Sequence, residues 1–322
     1  MPLRRIVGRV TATLLLVLLS GVALYRLRNP EHADLDAAAR EQASGRFVLL
    51  SDGVTHYDVA GPADGQRVVL VHGFSVPYYI WDSTVAALAG AGYQVLRYDL
   101  FGRGFSDRPA IDYTLDLFDR QLAELLDSLD WRGQVDLMGL SMGGPVTAAF
   151  TSHHPERVRS LTLVDPAAGS VGAPPTVLKI PVMGLVLWQM RSMPGMAEGQ
   201  LSDFVEPSRW PDWPDRYRVQ MAYRGLGRAL LSTLLSMESV ALDSLYQQVG
   251  RLGLPVLLVW GKEDRTVPID RSEGIRAAIP QAQFHAIERA AHLPHMERTD
   301  AVNPLLLGFL RDAASGPGPP RE

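Results

Sequence analysis

The sequence predicts an α/β fold: a mostly parallel eight-stranded sheet with helices on both faces and an inserted helical lid. Short apolar runs, typical of strands buried on both faces, alternate along the chain with segments whose apolar residues recur at helical spacing. Strands separated by helices pair in parallel, because each helix carries the chain back across the sheet. One long stretch without a buried strand, 167–251, interrupts this alternation and predicts the lid.

The strands and helices of the core are predicted in chain order from residue 46. The first two strands, Arg46–Ser51 and Val54–Ala60, flank the turn Asp52-Gly53. The later strands are apolar runs: Arg67–His72, Gln94–Asp99, Val135–Met138, Arg159–Val164, Pro255–Trp260 and Gln283–Ile287. The helices are Trp81–Ala91, Leu115–Leu129, a helix from the turn at Ser141 to about His153, and a closing helix that contains Pro304–Leu310.

The lid is predicted from its composition. Prolines separate short helical pieces that are rich in methionine, leucine and tryptophan. Such side chains can line an apolar substrate pocket, and the candidate substrate-binding residues are Trp188, Trp210 and Trp213. The alternative is that each of them packs the lid onto the core, since large apolar side chains are usually inside.

Residues 1–28 are predicted to be a signal anchor or a signal peptide. Sixteen uncharged residues, Val10–Tyr25, lie between arginines. A spanning helix needs about 20 apolar residues and a signal peptide about 7–15. We favour an uncleaved membrane anchor; the alternative is a secreted protein, cleaved near Gly21-Val22-Ala23. In both cases the catalytic body is exported, periplasmic or extracytoplasmic, because the arginine-rich end stays in the cytoplasm.

The remaining boundaries follow from composition. Residues 29–45 are predicted to be a short helical spacer, 46–166 and 252–312 the core, and 313–322 a disordered tail rich in glycine and proline. The net charge of −4 gives no electrostatic reason to expect nucleic acid as a partner. The absence of cysteine excludes disulfides, thiolate metal sites and a cysteine nucleophile. No metal or cofactor is expected, and no oligomeric state is predicted.

The most informative motif is Gly139-Leu140-Ser141-Met142-Gly143, which lies between a predicted strand and a predicted helix. A strand that turns abruptly into a helix projects the middle side chain beyond the end of the sheet, and the glycines allow close backbone approach. The start of the helix supplies unpaired N–H groups and a positive dipole end, which suit a developing oxyanion. This setting can make Ser141 a nucleophile.

The partners of a nucleophilic serine are found after later strands. Asp264 follows Pro255–Trp260, and His292 follows Gln283–Ile287. Ligands of an open parallel sheet bind beyond the carboxyl ends of its strands. The sequence therefore predicts that a hydroxyl, a carboxylate and an imidazole meet at one edge of the sheet.

With these motifs the chain resembles the α/β-hydrolase fold family, in its esterase and lipase-like branch, over about Arg46 to Leu310. Five motifs appear in family order: His-Gly-Phe from His72, D-x-x-G-x-G-x-S from Asp99, G-x-S-x-G from Gly139, G-x-x-D-x-x-x-P from Gly261 and H-x-x-x-x-E from His292. The resemblance implies a triad of Ser141, His292 as base and Asp264 as acid. It also implies that the N–H groups of Phe74 and Met142 form the oxyanion hole.

Other residues compete for these roles. His295 is an alternative base, but His292 has the H-x-x-x-x-E spacing to Glu297. His72 is interpreted as structural or pocket-lining. Asp165, which follows the strand ending at Val164, is an alternative acid.

The resemblance implies a carboxylic ester hydrolase that acts through an acyl-enzyme on apolar small-molecule substrates. A serine at the elbow argues against the haloalkane dehalogenase and epoxide hydrolase branches, whose elbow carries aspartate. The alternative within the fold is a carbon–carbon bond hydrolase of ring-cleavage products. The alternative outside enzymes is a non-catalytic binding module with the same fold. The expected partners are the substrate and, through the N-terminal helix, a membrane.

Overall fold

The computed structural model describes residues 2–169 and 172–315, with side chains from residue 5 onward. The predicted disordered tail lies outside the described residues from position 316. Residues 313 and 314 belong instead to the last helix.

The sheet has the predicted eight strands, in the order β1-β2-β4-β3-β5-β6-β7-β8. The pairs β1–β2 and β2–β4 are antiparallel and the others are parallel, so the prediction of a mostly parallel sheet is confirmed. The strands are β1 Arg46–Leu50, β2 Gly53–Ala60, β3 Arg67–Val71, β4 Gln94–Tyr98, β5 Val135–Leu140, β6 Val158–Val164, β7 Val256–Gly261 and β8 Gln283–Ile287.

Helices cover both faces of the sheet, as predicted. On β3, Val69 and Val71 pack into one apolar cluster with residues of α4 and α5, whereas Val68 and Leu70 pack into another with residues of α3 and α13. The helices are α1 Pro2–Arg28, α2 Ala37–Arg40, α3 Asp82–Gly90, α4 Leu115–Ser128, α5 Gly143–His153, α6 Met183–Leu187, α7 Met196–Gly199, α8 Trp213–Met221, α9 Leu226–Met237, α10 Leu242–Arg251, α11 Ser272–Ala278, α12 Pro294–Glu297 and α13 Thr299–Ala314.

The insertion (residues 167–251) lies between β6 and β7 and, where it is described, is built of short helices and turns. Its last helix, α10, packs against α5 and α11, with Val249 in the same apolar cluster as α4 and α5. The pieces from α6 to α9 are therefore the part of the insertion available to cover the end of the sheet.

The spacer is helical over only four residues, Ala37–Arg40, where the Asp36 carboxylate caps the N–H of Ala39. Elsewhere it runs along the insertion: the N–H groups of His32 and Ala33 donate to the carbonyl of Ala222. The helical prediction fails here because tertiary hydrogen bonds outweigh the local helix propensity of alanine.

Helix α1 contains one candidate membrane span, Arg5–Arg28, with a mean hydropathy of 2.0 and no burial in the protein. By length and composition it is able to cross a bilayer. A signal sequence has the same properties, so both predictions for residues 1–28 remain open.

A buried ion pair holds the end of the spacer to the sheet. His56 on β2 is 3% exposed, its Nδ1 lies 2.7 Å from a carboxylate oxygen of Asp99, and its Nε2 lies 2.5 Å from the carbonyl oxygen of Ser44. Both partners are acceptors, so both ring nitrogens donate and the imidazole is protonated. Burial lowers the pKa of His56, but the bond to Asp99 and its charge outweigh burial and raise that pKa above its usual value.

We expect His56→Gln to lower the free energy of unfolding most at acidic pH. A raised native pKa stabilises the fold fully below the unfolded pKa of about 6.5, and this contribution is lost as pH rises through the native pKa. Urea denaturation should show a deficit of about 3 kcal/mol at pH 6 that shrinks toward pH 9. His153→Gln, at an exposed ion pair with Asp119, is the control and should have little effect. A deficit that grows with pH would contradict the ion pair.

Candidate active site

Ser141 lies at a strained turn between β5 and α5. Its φ is +53°, in the left-handed region that residues other than glycine rarely adopt. The turn is held by its backbone: the Ser141 N–H donates to the carbonyl of Val164 at 3.0 Å, and its carbonyl accepts from Gly144 and Ala167. The predicted strand–turn–helix setting of Ser141 is thus present, and β5 continues to Leu140.

Crowding explains the glycines around this turn. A Cβ on Gly143 would lie 2.3 Å from the carbonyl oxygen of Val71, and a Cβ on Gly139 would lie 2.3 Å from the carbonyl oxygen of Gly143. Gly73 faces the serine from the end of β3, where an added Cβ would lie 3.1 Å from the Ser141 Cβ. The motif therefore lets the end of β3 approach the turn.

His292 and Asp264 form a buried hydrogen-bonded pair. Nδ1 of His292 lies 2.8 Å from Oδ2 of Asp264, and the two residues are 4% and 5% exposed. The other carboxylate oxygen, Oδ1, accepts from the N–H groups of Thr266 and Val267 at 2.8 and 2.9 Å. The carboxylate is therefore fixed by two backbone donors while it orients the imidazole.

A cavity of about 230 Å³ brings the serine and the histidine together. Ser141 and His292 both line it, and Asp264 lies behind the imidazole. The remaining lining comes from the segment after β3, from the end of β5, from the insertion and from the loops after β7 and β8: Gly73, Phe74, Ser75, Val76, Ile80, Leu140, Gly199, Gln200, Asp203, Thr266 and Leu293. The predicted meeting of hydroxyl and imidazole at one sheet edge is thus observed.

The two predicted oxyanion donors flank this cavity. Phe74 lines it directly, and Met142 is the residue immediately after Ser141 at the start of α5. Within the described residues, neither backbone N–H has a hydrogen-bond acceptor in the protein. Unpaired N–H groups at the start of a helix are suited to bind a negatively charged oxygen.

Two nearby carboxyl groups, those of Asp264 and Asp203, raise the pKa of His292. Burial lowers its pKa, but the hydrogen bond to Asp264, with the charges of Asp264 and Asp203, outweighs burial and raises the pKa above its usual value. Asp203, in the turn Gln200–Asp203 of the insertion, also contacts this region directly: its carbonyl accepts the His292 N–H at 3.1 Å, and its carboxylate accepts the Thr266 hydroxyl at 2.6 Å.

We expect Asp203→Asn to shift the acid limb of the kcat/KM profile to lower pH. A base must be neutral to take a proton, so activity falls as pH decreases through the His292 pKa. Removing the Asp203 charge removes one cause of the raised pKa, while the asparagine oxygen can still accept from Thr266. Asp212→Asn, at an exposed site of the same insertion, is the control. An unmoved or raised midpoint would contradict the role of Asp203.

Asp165, the alternative acid, has a different environment from Asp264. It is fully buried, its Oδ1 accepts the Gly261 N–H at 2.8 Å, and its Oδ2 has no hydrogen-bond partner among the described residues. Burial and the charge of Asp264 raise the pKa of Asp165 well above its usual value, which favours the uncharged form of its carboxyl group. Asp165, Asp264 and His292 are close enough to share a metal ion, but Nδ1 of His292 already bonds to Asp264.

The two other candidate histidines have structural contacts. His72 lies beside the site, but its Nε2 accepts the Leu100 N–H at 2.9 Å and its Nδ1 donates to the Gly73 carbonyl. His295 donates to the carbonyl of Ile80 and packs against Trp81. Burial lowers the pKa of His72 to about 4 and that of His295 to about 3, so both rings are neutral.

The three candidate tryptophans of the insertion do not line the cavity. Trp213 is 3% exposed and packs edge-on against Phe204, which in turn stacks on Trp210. Trp188 lies in the helical turn after α6 and packs against the apolar cluster that contains Phe204 and Trp213. Their observed contacts are packing contacts, and a substrate-binding role for them remains a prediction.

Sequence reasoning missed Asp203, Thr266 and the role of Glu297. Glu297 accepts the N–H groups of Ala291, next to His292, and of Val205 in the insertion, both at 2.7 Å. The H-x-x-x-x-E spacing was the available signal for Glu297. Asp203 belongs to no recognisable motif. It contacts His292 from a distant part of the chain, so no local pattern in the sequence indicates this contact.

Comparisons with known proteins show the family of this chain. A profile of the alpha/beta hydrolase family matches residues 68–305. A 2-hydroxy-6-oxononadienedioate/2-hydroxy-6-oxononatrienedioate hydrolase from Cupriavidus pinatubonensis is 29% identical over 287 residues, which cover 85% of this chain and 97% of the relative. Further relatives from Paraburkholderia and Burkholderia have the same name.

Solved structures of two activities are similar to this one. A thermophilic esterase from Thermogutta terrifontis superimposes with a TM-score of 0.72 and 25% identity, covering 84% of this chain and 99% of the esterase. A meta-cleavage product hydrolase (CumD) from Pseudomonas fluorescens IP01 superimposes with a TM-score of 0.70 and 25% identity, covering 84% and 98%.

Proposed function

Since this chain belongs to the alpha/beta hydrolase family and is a hydrolase, we propose that it cleaves carboxylic esters of apolar substrates with Ser141 as nucleophile. The observation that carries the proposal is the shared cavity of Ser141 and His292, with Asp264 bonded to the far side of the imidazole. Acyl transfer through a serine needs a base near the hydroxyl and an acid that orients the base, and these two observations support those roles.

In the proposed mechanism Ser141 Oγ attacks the ester carbonyl carbon while His292 takes the hydroxyl proton. Asp264 holds the Nδ1–H tautomer and stabilises the imidazolium. The N–H groups of Phe74 and Met142 bind the oxyanion, and each such donor contributes about 3 kcal/mol of transition-state stabilisation. His292 then gives the proton to the alcohol that leaves. Water then attacks the acyl carbonyl while His292 takes a proton from it. His292 gives that proton to Ser141 Oγ as the acyl–oxygen bond breaks, which releases the acid and restores Ser141.

The charges of the cavity support an uncharged substrate. Its described lining contains no lysine or arginine, and it contains the carboxyl group of Asp203. The nearby guanidinium of Arg103 is occupied by the carbonyls of Phe74 and Phe101 and by the Thr233 hydroxyl. A dianionic substrate would enter this cavity without a cationic partner, which is costly in a desolvated site.

The second candidate is a carbon–carbon bond hydrolase of ring-cleavage products, and the curated relatives favour it over an esterase. Their named substrate is a dioate, with two carboxylates. The same triad can attack a ketone carbonyl when the leaving group is a stabilised carbanion. The relatives' names and the charge of this cavity thus support different substrates.

One experiment separates the two candidates. Purified wild-type protein and Ser141→Ala are assayed with neutral p-nitrophenyl esters of increasing acyl length and with a 2-hydroxy-6-oxo-dienoate ring-fission product. We expect a higher kcat/KM for the neutral esters, lost in Ser141→Ala. A higher kcat/KM for the ring-fission product than for the esters would reject the esterase and support the second candidate.

We also propose that α1 anchors the protein in a membrane with the catalytic body exported. The length and apolar character of α1 and the arginines in its first two turns support this orientation. The test is the intact mass of the protein extracted from membranes, which should include residues 1–28. A chain that begins near residue 24 would instead support a cleaved signal peptide and a secreted enzyme.

A further inference from the structure

The insertion exposes an apolar segment, residues 177–183. Val182 is 77% exposed, Met183 47%, Ile180 44% and Val177 38%. Nine large apolar residues are exposed in the described chain after α1, and these four are the only ones that cluster in sequence; the others are Leu49, Ile111, Val205, Val219 and Leu252. Single exposed apolar residues need no explanation, but a cluster indicates an interaction surface.

The described residues of the protein leave this segment uncovered. A groove of about 420 Å³ lies between the segment and α9, with apolar walls that include Leu178, Leu185, Leu231 and Leu235. The groove shares no lining residue with the cavity of Ser141. The apolar surface is therefore separate from the catalytic site.

The apolar segment is joined to the end of α1. It runs directly into α6 and the helical turn Trp188–Ser192, which contacts α1. The Tyr25 hydroxyl donates to Oε1 of Gln189 at 2.9 Å, and Nε2 of Gln189 donates to the Glu31 carboxylate at 2.6 Å. Met183 and Gln189 are separated by six residues of helix, or roughly 9 Å.

This connection sets the depth of the segment relative to a bilayer. The candidate span ends at Arg28, so Tyr25 and the bonded Gln189 lie near the headgroups when α1 crosses the membrane. The exposed arginines Arg28 and Arg191 then lie at the same level, where cationic side chains contact anionic lipid. An apolar segment within roughly 9 Å of this level is close enough to contact the lipid–water interface without unfolding the insertion.

We propose that residues 177–183 insert into the lipid–water interface of the membrane that α1 spans. The protein then has two membrane contacts, the span in α1 and the apolar segment of the insertion, and the partner is the lipid bilayer. The proposal rests on α1 as an anchor and is independent of which bond the enzyme cleaves.

The absence of cysteine makes a direct test possible. Met183→Cys and Ile180→Cys are labelled with an environment-sensitive fluorophore in the full chain, reconstituted into phosphatidylcholine–phosphatidylglycerol vesicles that contain spin-labelled lipid. Leu49→Cys, 76% exposed on β1, is the matched control, and Leu18→Cys in α1 reports full insertion. Circular dichroism verifies that each labelled protein is folded.

We expect lipid quenching at positions 180 and 183 to exceed that at 49 by about threefold or more, and to be lower than at 18. Quenching at 180 and 183 equal to that at 49 would overturn the proposal. A probe shielded from water but not quenched by lipid would also overturn it, because a second copy of the chain would then cover the segment. Absence of quenching at 18 would reject the anchor and this proposal together, while ester hydrolysis is measured separately.

Discussion

Replacing Ser141 by alanine is expected to reduce kcat for the preferred substrate by at least about 10⁴-fold while the protein stays folded. The substitution removes the attacking oxygen but keeps the Cβ, so the strained turn at φ +53° is unchanged. Residual turnover would come from binding and from the oxyanion donors alone. Steady-state kinetics and a thermal denaturation midpoint equal to that of wild type check both parts of the prediction.

The matched control is Ser152→Ala. Ser152 lies on α5, the helix that Ser141 precedes, and its buried hydroxyl makes no hydrogen bond among the described residues. We expect its kcat to equal that of wild type. Equal activity of Ser141→Ala and Ser152→Ala would reject Ser141 as nucleophile. An acyl adduct on Ser141, found by mass spectrometry in wild type only, would provide direct support.

The second large effect concerns the two aspartates beside His292. We expect Asp264→Asn to lower kcat by about 10⁴-fold, because an amide cannot hold the tautomer or stabilise the imidazolium. Asp165→Asn should change kcat by less than about threefold, because burial and the charge of Asp264 favour the uncharged form of the Asp165 carboxyl group, and asparagine is also uncharged. Asparagine also tolerates the φ of +41° at position 165 and can still accept the Gly261 N–H.

The pair of variants serves as its own control, because both replace a buried carboxyl group at the same edge of the sheet. Steady-state kinetics at neutral pH measures both, and thermal denaturation excludes loss of folding. A large loss with Asp165→Asn and a small loss with Asp264→Asn would assign the acid to Asp165. Large losses in both would mean that Asp165 is needed to position Asp264.

Much of the core is predictable because its signals are local. The apolar runs of β3 to β8 and the glycines around Ser141 are each encoded within a few consecutive residues. The carboxyl ends of parallel strands meet at one edge of the sheet. Knowing which residues follow each strand along the chain is therefore sufficient to predict that Ser141, Asp264 and His292 lie at the same edge. Their catalytic roles follow from chemistry and from the resemblance, and they remain predictions for experiment.

Desolvation and long-range contact, in contrast, are decided only by the tertiary structure. Asp165 and Asp264 both follow a strand, and only their hydrogen-bond partners distinguish them: Asp264 bonds to His292, whereas Oδ2 of Asp165 has no partner among the described residues. The spacer follows the insertion because of hydrogen bonds to Ala222, which is 190 residues away from His32.

By itself, then, the sequence determined the α/β fold, the succession of strands and helices along the chain and the residues that follow each strand, because short-range patterns specify each of them. Only the tertiary structure decided the packing of the three tryptophans, the contact of Asp203 with His292 and the exposure of residues 177–183. The physical reason is that burial and charge proximity depend on segments far apart in the chain, which no local pattern records.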